Sequence, residues 1–163
     1  MDKKFLITEI IKELEAQKMQ NEISLKATLQ AAIEAPGAME SHSDTTKAQM
    51  HTLADNLRNS LTEKERAISV LRNLPEDQLQ QSEVVQIGSV VEIQESGDKR
   101  NSYFVLPEGG GIEVKDEKRC VFVIASRAPL AKVLIGKKKG DSTKLQIPSS
   151  SGKDREMTIL NVW

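Results

Sequence analysis

Apolar residues in the first half of the chain recur at helical spacing. Ile7, Ile10, Ile11, Leu14, Leu25, Leu29 and Ile33 lie on one stripe of a long helix. Lys18 and Asn21 fall at seam positions where that stripe calls for apolar side chains. Thr8 with Glu9 gives only a weak start signal. Pro36-Gly37 stops the helix, because proline cannot continue it and glycine tolerates left-handed geometry. A second stripe runs through Met50, Leu53, Leu57, Leu61, Ile68, Leu71 and Leu74 and halts at Pro75. Ser43 or Asp44 caps its start, with Thr45, Thr46 and Lys47 in its first turn. Two helices of roughly 25–30 residues would each span about 40–45 Å. Neither holds alone in water, so each buries the other's stripe in an antiparallel coiled coil with its tip near residues 36–44. The alternative is a pair of helices from a small bundle, which wants a third helix where none follows.

Past Pro75 the period changes to two. Val84, Val85, Ile87, Val90, Val91 and Ile93 read as a first strand broken at Gly88-Ser89. Gly97-Asp98-Lys99 is a turn, and Tyr103 to Leu106 a second strand. Pro107 to Gly111 turn again, Ile112 and Val114 start a short strand, and Val121 to Ile124 form a buried one with Cys120 at its edge. Pro129 near the start and Gly136 at the end bracket a two-turn helix. Lys137 to Asp141 is a basic turn. Lys144 to Pro148 alternates as a strand, Ser149 to Lys153 turns, and Met157 to Val162 closes the sheet. The expected fold class is α+β, with an antiparallel helical hairpin over 1–78 and an antiparallel β-sheet domain with a short helix over 79–163.

Composition sharpens this. Aromatics are only 3% of the 163 residues, which argues against a large core and for an elongated element. Residues 1–78 carry 10 basic and 13 acidic side chains and the remainder 13 and 11, so neither half is a strongly basic nucleic-acid domain. Eight of the nine glycines lie in the second half, which places the domain boundary near Pro75. There is no apolar run long enough for a membrane span and no secretory leader pattern, so a cytoplasmic protein is expected. One cysteine and two histidines leave no disulfide framework and no zinc cluster. Gly109-Gly110-Gly111 lacks the Gly-Lys-Ser/Thr and following helix of a phosphate loop. Cys120 has no histidine nearby in sequence and reads as inert. With no nucleophile–base pair and no self-contained metal cluster, an independent enzyme is the least favoured class.

From Gln86 onward the chain resembles the C-terminal domain of the bacterial GreA/GreB transcript-cleavage factors. Ile87-Gly88-Ser89-Val90-Val91 is similar to the family's first strand. The run from Ala128 to Asp141 is similar to its Leu-x-Gly-Lys-x-x-Gly-Asp segment, although Ser126 is separated from Pro129 by Arg127-Ala128 where the family has Ser-Pro. The resemblance implies an FKBP-like sheet domain docking on the rim of the RNA polymerase secondary channel. It implies a coiled coil entering that channel, with two tip acids at the catalytic magnesium and the polymerase hydrolysing backtracked RNA. Such factors carry an Asp-Leu-Ser-Glu-Asn-like tip after a glycine. Here Gly37 is followed by Ala38-Met39-Glu40-Ser41, so Ala38 and Ser41 stand where acids are implied.

Glu40 and Asp44 are the candidate tip acids, four residues apart. They read either as a solvated tip residue and a helix cap, or as transient ligands of a polymerase-bound magnesium ion. No intrinsic cofactor or stable metal site is expected. Met39, Ser41 and His42 are candidate tip contacts. Arg127, Lys132, Lys137, Lys138, Lys139 and Lys144 form a basic patch, read as a solvated face or as a polymerase-binding surface meeting an acidic rim. No aromatic residues interleave with these lysines, so contact with nucleic acid is expected only within the transcription complex. A monomer is expected. Three classes remain: a channel-binding regulator that stimulates cleavage weakly or not at all, which is preferred; a cleavage-stimulating factor; and an unrelated adaptor or chaperone-like module.

Overall fold

A computed structural model describes residues 2–34, 43–95, 99–116, 119–146 and 155–163, with the side chains of 43–46 and 116 outside the description. The stop at Pro36-Gly37, the turn at Gly97-Asp98, Pro148 and the turn at 149–153 therefore lie outside the described residues. Two helices, α1 (Lys3–Glu34) and α2 (Ser43–Arg72), precede a short 3-10 turn at Glu76–Leu79. Six strands and one short helix follow: β1 (Val90–Glu95), β2 (Arg100–Leu106), β3 (Glu113–Asp116), β4 (Arg119–Ala125), α3 (Pro129–Leu134), β5 (Ser142–Leu145) and β6 (Arg155–Val162). The chain forms two compact units: 13–68, and residues 1–12 together with 69–163.

In the helical unit α1 and α2 run antiparallel. Lys18 Nζ reaches Glu65 Oε1 at 2.8 Å and Asn21 Nδ2 donates to Ser60 Oγ at 3.0 Å, so a step forward on one helix is a step back on the other. Lys64 Nζ also donates to Ser60 Oγ, at 2.8 Å. The two polar seam positions are thus filled by partners across the seam. Leu14, Ala54, Ala67 and Ile68 are buried. The stripe differs from expectation at two places: Leu53 is 50% exposed and Ile33 76% exposed. A coiled-coil seam advances alternately by three and four residues. From Leu57 the step back is three residues, to Ala54, and that places Leu53 about 100° off the seam.

The weak signal at Thr8 does not mark the start of α1. The helix begins at Lys3, not near Thr8, because Asp2 caps it: Asp2 Oδ1 accepts the Phe5 N–H at 3.1 Å. Thr8 instead donates its hydroxyl to the Lys4 carbonyl at 3.0 Å.

The sheet has the order β3-β4-β2-β1-β6-β5. Four of its five described ladders are antiparallel, and β2 with β4 is parallel, so the sheet is mixed and not antiparallel throughout. Strand direction reverses at each turn. Because β3 skips one position to the edge, the returning β4 fills the gap alongside β2 in the same direction. The register aligns Val91, Tyr103 and Phe122 across three strands, with the Tyr103 and Phe122 rings 5.9 Å apart. This face, with Ile93, Val105, Met157 and Ile159, packs with Ala131 and Leu134 of α3 and with Val85. The opposite face is buried too, at Val90, Phe104, Leu106, Val121 and Val123. A strand buried on both sides reads as a continuous apolar run, which is what Tyr103 to Leu106 shows.

The first strand is shorter than its apolar residues suggest. Pairing starts at Val90, while Val84 makes an isolated antiparallel bridge to Lys138. Gly88 separates the two at a φ of 88°, and a Cβ there would lie 1.9 Å from the Gln78 carbonyl oxygen. Only glycine permits both the backbone angle and the approach.

Candidate functional site

The basic turn is built by backbone. Helix α3 starts at Pro129 and ends before Gly136, whose φ of 85° turns the chain out of the helix. Val85 N–H donates to the Lys137 carbonyl and Gly136 N–H to the Val85 carbonyl, each at 2.8 Å. On the other side Gly140 N–H donates to the Ile159 carbonyl at 2.8 Å, and Ile159 N–H to the Asp141 carbonyl at 2.9 Å. Asp141 Oδ2 accepts the Lys138 N–H at 2.8 Å and closes the turn. Val84 and Val85, the basic turn and β6 are therefore hydrogen-bonded side by side.

The six basic candidates separate into groups. Arg127 lies 3.4 Å from Glu108 Oε2, and Lys144 lies 2.6 Å from Glu156 Oε1. The Lys144 ammonium holds the Glu156 carboxyl below its usual range through that hydrogen bond. Lys139 Nζ donates to Asn161 Oδ1 at 3.0 Å. Lys132 and Lys138 are exposed and Lys137 half-buried, and among the described residues no carboxylate pairs with these three. The patch is thus not one uniform surface: Lys132 stands on α3, Lys144 on edge strand β5, and Lys137 to Lys139 on the turn.

Glu40, Met39, Ser41 and His42 lie outside the described residues. Asp44 lies in the first turn of α2, and its side chain is likewise outside the description. Among the described residues no three His, Cys, Asp or Glu side chains converge as a metal site, and no helix is long and apolar enough to cross a membrane. Cys120 hydrogen-bonds Glu113 across the β3–β4 ladder. That bond, followed by burial, pushes the thiol's pKa up and disfavours a thiolate.

Two sets of residues escaped the sequence reading. Asn161 Nδ2 donates to Glu92 Oε2 at 2.7 Å, Arg119 lies 3.8 Å from Glu92 Oε1, and its guanidinium sits 5.2 Å over the Trp163 ring. These residues are dispersed from 92 to 163, and no local motif links them; the single tryptophan was the available signal. At the foot of α1, Lys3 is 7% exposed, and burial lowers the pKa of its ammonium, which donates to the Gln80 carbonyl at 3.2 Å. Lys4 pairs with Glu76 at 2.6 Å, and that hydrogen bond raises the lysine pKa and lowers the carboxyl's.

Comparison with known proteins places these features. The family described as transcription elongation factor, GreA/GreB, C-terminal, matches residues 80–163, which include both segments of the resemblance and the basic turn. No curated protein matches the chain. Among solved structures, GreA factor homolog 1 (Gfh1) of Thermus thermophilus is 20% identical over 94% of each chain, with a TM-score of 0.37. Gfh1 of Thermus aquaticus is 21% identical over 93% of this chain and 92% of that one, with a TM-score of 0.38. A prokaryotic transcription elongation factor GreA/GreB from Nitrosomonas europaea is 19% identical over 61% of this chain and 78% of its own, with a TM-score of 0.36. The assignment rests on the matched half of the chain: this protein belongs to the GreA/GreB family of transcription elongation factors.

Proposed function

We propose that the chain regulates transcript elongation by associating with RNA polymerase through its sheet unit and inserting its hairpin into the secondary channel. The observation that carries this reading is the family match over 80–163. The helices suit the second part. At 32 and 30 residues, each is about 45–48 Å long by helical rise. Lys132 and Lys137, which no described carboxylate neutralises, suit an acidic rim, where such charges govern the encounter rate.

The tip sequence sets the mechanism. Ala38 and Ser41 cannot supply carboxylates, and Glu40 and Asp44 are the acids available between residues 35 and 44. Their oxygens are the hard donors a magnesium ion takes, so these two residues would hold it. When bound, such an ion supplies charge stabilisation and an activated water for phosphodiester hydrolysis. Catalytic groups need placement within about 0.5 Å, and moving both acids along the tip is a far larger change. The preferred reading is regulation by occupying the channel, with little stimulation of cleavage. The retained Glu40 and Asp44 favour the second reading, cleavage through a reshaped tip.

A backtracked complex of the cognate polymerase distinguishes them. Wild-type protein should associate while raising the endonucleolytic rate no more than about tenfold, a small part of the range catalytic groups supply. Strong stimulation lost in Glu40→Ala or Asp44→Ala, with association retained, would instead assign that carboxylate to the metal. Lys132→Glu with Lys137→Glu should weaken association, more at low salt than at high. Undiminished association across that range would reject the docking surface.

A further inference from the structure

A cleft of about 730 Å³ opens beside the basic turn, lined by residues 81–83, by Lys138 and Lys139, and by Asn161 to Trp163. Its volume lies in the range of small-ligand sites, roughly 300–1,000 Å³. All its walls belong to the sheet unit.

The cleft is held in shape without a ligand. The Val84–Lys138 bridge and the two Val85 hydrogen bonds fix the segment after residue 83 to the turn. Trp163 is pinned to β1 by reciprocal bonds: Val90 N–H to its carbonyl at 3.1 Å, and its N–H to the Val90 carbonyl at 2.9 Å. Arg119 over the indole, at 5.2 Å, sets the ring. Asn161 has both amide atoms engaged, with Lys139 on Oδ1 and Glu92 on Nδ2, so the Lys139 ammonium is positioned from behind. Preorganised groups of this kind lose little freedom when a ligand arrives.

Three kinds of chemistry meet here. Two ammonium groups on adjacent residues suit phosphoryl oxygens. An indole suits a flat ring. Glu83, with Gln81 and Ser82 beside it, suits hydroxyl or amino donors and disfavours a ligand that is anionic throughout. We infer that this cleft binds a nucleoside diphosphate or triphosphate, with its phosphates on Lys138 and Lys139, its sugar hydroxyls toward Glu83 and its base against Trp163. The inference does not rest on polymerase docking or on the hairpin tip, so it is testable on the full chain alone.

Trp163 is the chain's single tryptophan, so its fluorescence reports directly on the cleft. Titration with ADP should give a saturable change, and calorimetry should give the same affinity. Pyrophosphate, which has no ring, and adenosine, which has no phosphates, should each bind at least about tenfold more weakly, as expected for losing stacking or charge-assisted hydrogen bonds. Lys138→Ala with Lys139→Ala should cost about tenfold or more in affinity, and Trp163→Leu, read by calorimetry, a similar factor. Lys26→Ala, on the exposed surface of the helical unit, should leave binding unchanged. No saturable binding of ADP at millimolar concentration would overturn the inference. So would pyrophosphate binding as tightly as ADP, full affinity in the double lysine variant, or a single-stranded oligonucleotide binding more tightly than ADP, which would make this a nucleic-acid surface.

Discussion

Removing Arg155 should destabilise the sheet unit through the carboxylate it leaves behind. Glu95 ends β1 opposite Met157, and its side chain is only 7% exposed. It accepts hydrogen bonds from Arg155 Nε at 2.9 Å, from Arg155 Nη2, and from Asn101 Nδ2 at 2.9 Å. Breaking a fully buried ion pair costs about 3–5 kcal/mol, because the remaining charge is uncompensated. The Arg155 side chain is 38% exposed, so water screens part of this interaction and can reach part of the vacated space. The expected loss for Arg155→Ala is therefore about 2–3 kcal/mol, or roughly 4–12 °C in the melting temperature of a chain this size. Glu95→Gln keeps the shape and the Asn101 contact and should cost about 1 kcal/mol. Combining Glu95→Gln with Arg155→Met removes both charges and should recover most of the single arginine loss, since pairs replaced together by neutral groups are often near neutral. Urea denaturation followed by a sheet-specific probe checks all three. A loss under about 0.5 kcal/mol for Arg155→Ala, the level of ordinary surface substitutions, would refute the argument. A double variant as unstable as Arg155→Ala would do the same.

Gly88→Ala should cost about 3 kcal/mol or more, since it combines a φ of 88° with a Cβ 1.9 Å from the Gln78 carbonyl oxygen. Gly140→Ala, at a φ of 89° with nothing within 4 Å, should cost only about 1–2 kcal/mol of backbone strain, so equal losses in urea melts would discount the close approach. Burial, with the Glu95 carboxylate adding to it, raises the pKa of Tyr103. The folded state then holds that proton more tightly than the unfolded chain, so stability is intact below the unfolded value near 10 and falls as pH rises through the folded one. Tyr103→Phe should flatten this alkaline decline relative to wild type, and parallel curves above pH 10 would rule the group out.

The sheet unit was legible where residue type and backbone need coincide. Gly136 past the end of α3 and the continuous apolar run of β2 each announce their conformation locally. The basic turn was legible for the same reason. Val84 and Val85 misled because apolar alternation does not reveal which partner a segment finds: they pair with the basic turn and not with β2. Leu53 misled because a leucine and an alanine one residue apart compete for the seam, and the heptad phase chose the smaller. The cleft was illegible for a different reason. Arg119, Glu92, Asn161 and Lys139 come together only through strand register, with β1 and β6 placing Glu92 opposite Asn161.

The same reasoning explains the polar seam of the hairpin. Lys18 and Asn21 look like defects in an apolar stripe, yet each meets a partner on α2, at Glu65 and Ser60. Lys18 is partly and Glu65 largely exposed, so this pair adds little stability; together with Asn21–Ser60 it specifies register, since any slip of α1 along α2 leaves them unpaired. Lys18–Glu65 and Asn21–Ser60 thus hold the seam where leucines would pack more tightly but in more than one register.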